Sequence, residues 1–253
     1  MIAMSLTAEC LSIDSENYLF SKLKTEYLCE FDNMISRRQY NDRKKLLFEK
    51  TEQARKLMAE RLNRQADVFA IDSMPLEICK LAREQSNKMG KESEHHAPDK
   101  GYCASQNKYF YGYKLHSVCS AAGVIESLDL TKASVHDVHY LKDVKELFSN
   151  CIITGDKGYI GRQHQINLFE TAGIQLEVPL RSNQKEQKPV IWILEKVRKR
   201  IETVFSQLCD QFMIQRNYAK SFTGFKSRVL AKVAGFTVAV LKQIYLQPTG
   251  KQS

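Results

Sequence analysis

The chain has 253 residues and a formal net charge of +9, room for one large domain or a core domain with a small helical attachment. Hydrophobic residues make up 43% of it, enough for a sizeable core, while 11 glycines and 5 prolines exclude a collagenous or Pro/Gly-rich disordered chain. The longest nearly apolar run, Val233 to Leu241, is about half the roughly 20 residues that a bilayer requires.

The first elements read as helices. Ser15 stands ahead of Leu19, Leu23 and Tyr27 at i+4 steps, and Ser36-Arg37-Arg38-Gln39 has capping-box form. The latter predicts one charged helix with Leu47, Ala54, Met58 and Leu62 on a single face. Residues 1–65 are therefore expected to be a helical N-terminal region, a small DNA-binding or dimerising attachment or plain packing. At Asp67 the character changes. Val68 to Ile71 is an apolar run of strand length that breaks at Asp72-Ser73. Residues 84–107 are polar and aperiodic, which predicts a surface loop.

Tyr109, Tyr111, Tyr113 and Leu115 alternate with Phe110, Gly112, Lys114 and His116, the mark of a half-buried strand. Ala122-Gly123 then turns into a partner strand, Val124 to Leu130. Ser134 to Asp137 reads as the cap of a helix carrying Leu141, Val144 and Leu147. Cys151 to Gly155 is a second apolar strand that ends on an aspartate, Asp156, and a helix stopping near Gly173 leads to a strand from Ile174 to Pro179. After the polar stretch 181–189 comes a long helix, about Ile191 to Phe212. Its apolar stripe is Leu194, Val197, Ile201, Val204 and Leu208. Trp192, the single tryptophan, reads as a core anchor. A last apolar helix runs from Phe225 to Leu246, carrying Lys232 and Lys242. The order implies an α/β domain with a mixed sheet over residues 66–253.

Charge is placed unevenly. Residues 1–180 sum to −1, whereas residues 181–253 hold 14 Lys and Arg against 4 Asp and Glu, or +10. A one-sided basic tract is the electrostatic footprint of a nucleic-acid partner; a solvated basic surface is the simpler alternative. Seven scattered cysteines without a CxxC argue for reduced thiols rather than a disulfide framework. Cys79, Cys103, Cys119 and the His95-His96 pair lack the tight spacing of a zinc site. The start, MIAMSLTAECLSIDSE, has no basic n-region of a secretory signal, so a cytoplasmic chain is expected.

Two strands that end in aspartate are the sharpest feature. Carboxylates at strand ends point into the crevice where open α/β sheets keep their chemistry. Bringing two together is costly unless a cation neutralises them, and Mg²⁺ takes a few carboxylate oxygens while leaving room for water and phosphate. The long helix offers a third acid. On a wheel of about 100° per residue, Glu202 borders the apolar stripe with Arg198 one turn earlier, but Glu195 shares much of this geometry and periodicity leaves both open.

The ordered set Ile71-Asp72-Ser73, Tyr111-Gly112-Tyr113-Lys114-Leu115-His116, Gly155-Asp156-Lys157-Gly158-Tyr159 and Arg198-Lys199-Arg200-Ile201-Glu202-Thr203-Val204-Phe205 resembles the DDE transposases of bacterial insertion sequences, which share a ribonuclease-H-like core. The resemblance runs from about Asp67 to Tyr218. It implies an α/β fold, a ribonuclease-H-like mixed sheet flanked by helices, with the N-terminal helical region attached. It further implies that Asp72, Asp156 and Glu202 are the catalytic, metal-binding triad, holding Mg²⁺ as two ions, with Mn²⁺ able to substitute.

Some relatives carry a Tyr-x-x-Arg-x-x-x-Glu-x-x-x-x-x-x-Lys signature on the third acid's helix. Arg198 and Glu202 match it, whereas Glu195 and Cys209 stand at its Tyr and Lys positions. The resemblance implies DNA contacts by Lys114, His116, Lys157, Arg198, Lys199 and Arg200. Asp137, in its cap, is expected to be structural. The partners implied are double-stranded DNA, as element ends and target, and further copies of the chain on DNA. The activity implied is metal-dependent strand cleavage and strand transfer in a bacterial, nucleoid-associated enzyme. An inactive DNA-binding relative and a hydrolytic nuclease on the same fold are the rival readings.

Overall fold

The computed structural model describes residues 1–27, 33–179 and 191–246, so the polar stretch 181–189 and Cys29 lie outside the described residues. Eight α-helices are described: α1 (Ile2–Cys10), α2 (Glu16–Glu26), α3 (Arg37–Leu46), α4 (Phe48–Leu62), α5 (Leu141–Leu147), α6 (Arg162–Ala172), α7 (Trp192–Asp210) and α8 (Phe222–Leu246). Among the described residues six strands form one sheet: β1 (Val68–Cys79), β2 (Asp99–Cys103), β3 (Lys108–Ser120), β4 (Ile125–Lys132), β5 (Ile152–Thr154) and β6 (Gln175–Glu177). The chain divides into two compact units, residues 1–58 with 207–253 and residues 59–206.

The first unit is helical. Ser15 caps α2 by accepting from the Tyr18 N–H, and Ser36 and Gln39 form the full capping box of α3. The single charged helix expected from residue 36 breaks at Leu47, giving α3 and α4. Leu19, Phe20, Leu23, Tyr40 and Ala8 make its apolar core. Beside them lies a buried charge network. Lys232 on α8 is 1% exposed and donates to Glu9 (3.2 Å), Asp14 (3.0 Å) and the Phe212 carbonyl (2.8 Å). Arg228 donates to Asp14 (2.7 Å) and Lys44 to Glu9 (3.3 Å). Two cations of the basic tract are thus engaged internally, which removes Lys232 from any outward basic surface.

In the second unit the sheet is mixed: β1 pairs antiparallel with β3 and parallel with β5, and β5 parallel with β6. β3 is long enough to hold β1 on one edge and β2 then β4 on the other. β2 corrects the loop expected over residues 84–107; its alternation is too short and polar to register as a period of two. β1 does not break at Asp72 but runs on to Cys79, because β3 pairs with it throughout. One face of the sheet carries Phe69, Ile71, Val118 and Ile153, packed with Tyr140, Val144 and Leu168 into a core that α5 and α6 help to build. α6 stops where Gly173 adopts a left-handed φ of 65°, as an αL helix end requires. The architecture is the mixed α/β sheet flanked by helices of a ribonuclease-H-like fold.

Candidate active site

β1 and β5 are neighbours whose ladder ends at Ala70 opposite Thr154. Two residues beyond the ladder's end stand Asp72, still within β1, and Asp156, which follows β5. The parallel ladder sets the two strands side by side as far as Ala70 and Thr154, and among the described residues β1 has no ladder partner on that side beyond Ala70.

Asp72 accepts a 2.7 Å hydrogen bond from the Ser73 N–H. Its carboxyl is pushed up to about 7, first by burial, then by the negative charges of Asp156, Asp137 and Glu202, with the Ser73 N–H opposing. Asp156 follows β5 as the cap of the 3-10 turn Lys157–Tyr159 and accepts from the Gly158 N–H at 2.7 Å. Burial raises its carboxyl too, against the pull of the Gly158 N–H. Glu202 lies on α7, whose Val197, Ile201, Val204 and Leu208 are buried. It is 57% exposed and pairs with Arg198 at 3.6 Å. Arg198 also lowers the Asp156 carboxyl, so this helix adds both a positive and a negative charge to the acidic site.

Asp137, which sequence reasoning assigned to a cap, lies beside Asp156 instead. Its 3-10 turn, Asp137–Tyr140, is preceded by His136 and has no side-chain cap. Instead its Oδ1 accepts from Ser73 Oγ (3.0 Å) and Lys114 Nζ (3.0 Å). A Cβ built on Gly158 would meet Asp156 Oδ1 at 2.9 Å and Asp137 Oδ2 at 3.3 Å, so the two carboxylates flank one spot. The capping pattern hid it; a Ser-x-x-Asp string reads the same whether its acid turns back or across.

The expected DNA contacts divide. Lys157 and Lys199 are exposed, and Arg198 is half-buried beside Glu202. Lys114 is 14% exposed and bound to Asp137 and the Val135 carbonyl. His116 is fully buried, with Nε2 2.8 Å from Thr131 Oγ1 and its ring against Tyr140. Burial lowers its pKa to about 4, opposed by Asp137, so it is neutral at pH 7. With no exposed surface it has no face to offer DNA, a correction that follows from the strand's burial on both sides. Arg200 donates to the Ala122 carbonyl (2.9 Å) and lies over Gly123, whose φ of 84° and missing Cβ let the guanidinium close on the β3–β4 turn. It ties helix to hairpin. Trp192, expected in the core, is 70% exposed at the start of α7.

The donor set suits a hard cation. Asp72 and Asp156 offer oxygens, and Mg²⁺ is typically held by one or two carboxylates with water and phosphate completing the shell. Among the described residues no group of three or more His, Cys, Asp or Glu side chains is placed to hold an ion. Nor, among the described residues, is any helix long and apolar enough to cross a membrane.

No curated protein and no solved structure matches the chain. Residues 63–235 match the transposase DDE domain, a span that begins just before β1, takes in Asp72, Asp156 and Glu202 in order, and ends within α8. With that match over most of its length and a mixed sheet to carry it, the chain belongs to the transposase DDE domain family.

Proposed function

We propose that the protein cuts DNA at the ends of a bacterial insertion sequence and joins the freed 3′-hydroxyl to target DNA, with Asp72, Asp156 and Glu202 as the catalytic carboxylates. The reading rests above all on the β1–β5 ladder, which ends two residues before Asp72 and Asp156 on neighbouring segments of backbone, supported by the negative charges that Asp156 and Glu202 add at Asp72. Divalent ions, Mg²⁺ by preference and two by number, would sharpen the attacking oxygen and stabilise the leaving one in phosphoryl transfer. Asp72 and Asp156 would hold them from the sheet, and Glu202 from the exposed face of α7. Arg198 would steady Glu202 and take up phosphate charge, with Lys157 and Lys199 as exposed phosphate contacts that position DNA without reading its sequence.

The N-terminal helices, residues 1–65, are assigned to the element's ends, and residues 66–253 to catalysis. Copies of the chain would assemble on DNA in the bacterial cytoplasm, at the nucleoid.

The test compares Glu202→Gln with Glu195→Gln in Mg²⁺-dependent cleavage and strand transfer on element-end DNA, with thermal melting as the folding control. Glu202→Gln should lose both reactions by orders of magnitude while staying folded. Glu195→Gln, an exposed residue of the same helix, should stay within about tenfold, as an exposed charge worth under about 1 kcal/mol allows. An active Glu202→Gln beside a dead, folded Glu195→Gln would overturn the assignment. Cleavage without any joined product would favour a hydrolytic nuclease.

A further inference from the structure

Alternation along paired strands sets Ser73, Lys114 and His116 on one face of the sheet and Asp72, Leu115 and Ser117 on the other. Asp137 meets the Lys114 face, where its Oδ1 accepts from Ser73 Oγ and the Lys114 ammonium lies 3.0 Å from both Asp137 Oδ1 and the Val135 carbonyl. Asp137 in turn reaches, with its other oxygen, the spot beside Gly158 that Asp156 flanks from the opposite side. Lys114 is 14% exposed and Asp137 23%, so water screens the pair only in part.

Asp137 and Asp156 thus flank a spot near which Lys114 supplies a fixed positive charge.

We propose that Lys114 is a resident cation of the carboxylate site, stationed beside Asp156 by Asp137, and that divalent metal binds there in competition with its charge. The inference rests on the metal reading proposed above and adds a device that sets how tightly the metal is held. Lys114 would keep the bare site partly neutralised, and Asp137 would act as its positioning residue. A simple tie between β3 and the turn before α5 would use the same hydrogen bonds, and metal affinity separates the two.

The experiment titrates Mn²⁺ into the full chain without DNA, reading free Mn²⁺ by its electron paramagnetic resonance signal, with thermal melting in EDTA as the folding control. Lys114→Met should bind Mn²⁺ about tenfold more tightly than the wild type, since a unit charge a few Å away is weakly screened in a partly buried site. Lys114→Arg, which keeps the charge, should stay near the wild type. Lys114→Gln removes the charge while keeping a hydrogen-bonding group for Asp137, so it too should bind Mn²⁺ about tenfold more tightly; it decides the matter if Lys114→Met does not fold. Wild-type affinity in folded Lys114→Met, or in folded Lys114→Gln, would overturn the inference. Asp72→Asn serves as the reference: if it binds Mn²⁺ as the wild type does, the metal reading itself fails, and if it alone loses the ion, only the resident-cation inference does.

Discussion

The raised Asp72 carboxyl makes the bare protein carry a penalty that one substitution should relieve. Between its usual value of 3.8 and its folded value of about 7, Asp72 is protonated in the native state and ionised in the unfolded one. The native state then binds the extra proton, so stability falls as pH rises across this window and levels off above it. At about 1.4 kcal/mol per pH decade the full penalty is roughly 4 kcal/mol. Asp72→Asn removes it while keeping an oxygen for the Ser73 N–H. The new amide N–H₂ must find partners in a partly buried place, which returns about 1–2 kcal/mol. In EDTA at pH 8, Asp72→Asn should therefore be more stable by about 2 kcal/mol, or about 4–8 °C in melting temperature for a unit of this size. Near pH 4 the penalty nearly disappears, and the amide's cost should leave the variant slightly the less stable, by about 1 kcal/mol. Adding Mg²⁺ should narrow it, since the ion stabilises only the protein that binds it, and the substituted enzyme should be inactive. Thermal unfolding from pH 4 to 8, with EDTA and then with Mg²⁺, is the assay. An Asp72→Asn protein no more stable than the wild type at pH 8, or an advantage that does not change with pH, would refute the reasoning.

Two further outcomes are expected. Gly158→Ala puts a methyl group 2.9 Å from Asp156 Oδ1; because Gly158 does not need a positive φ, stability should change by under about 1 kcal/mol while Mg²⁺-dependent cleavage drops at least tenfold, and a variant with wild-type cleavage would show that Asp156 has slack. Lys232→Met strips the buried carboxylates of Glu9 and Asp14 of their shared cation, costing about 3 kcal/mol even with Arg228 and Lys44 still in place; urea unfolding checks it, and a loss under about 1 kcal/mol would mean the network is already balanced without Lys232.

What the sequence made legible was local. The Ser36–Gln39 box, the Gly173 helix end, the β3–β4 hairpin and the α7 stripe each follow from neighbours a few residues apart, and each stands in the structure. The two aspartates could be singled out because apolar runs lead into both. Their register could not, since it depends on which residue of β1 faces which residue of β5, eighty-four positions away. Asp137 was missed for the same reason: its partners Ser73 and Lys114 lie on other strands. His116 and Trp192 exchanged expectations because burial on both faces of β3, and exposure at the first turn of α7, are set by tertiary neighbours rather than by residue type.

The helical unit is written by two distant stretches of the chain. Glu9 and Asp14 belong to its opening residues, and the lysine and arginine that neutralise them, Lys232 and Arg228, arrive more than two hundred residues later. A ribosome therefore completes the entire sheet of the second unit before it supplies the cations that let the first unit close. Until then the early helices carry a pair of acids meant for burial, with Lys44 the cation of their own stretch that reaches Glu9.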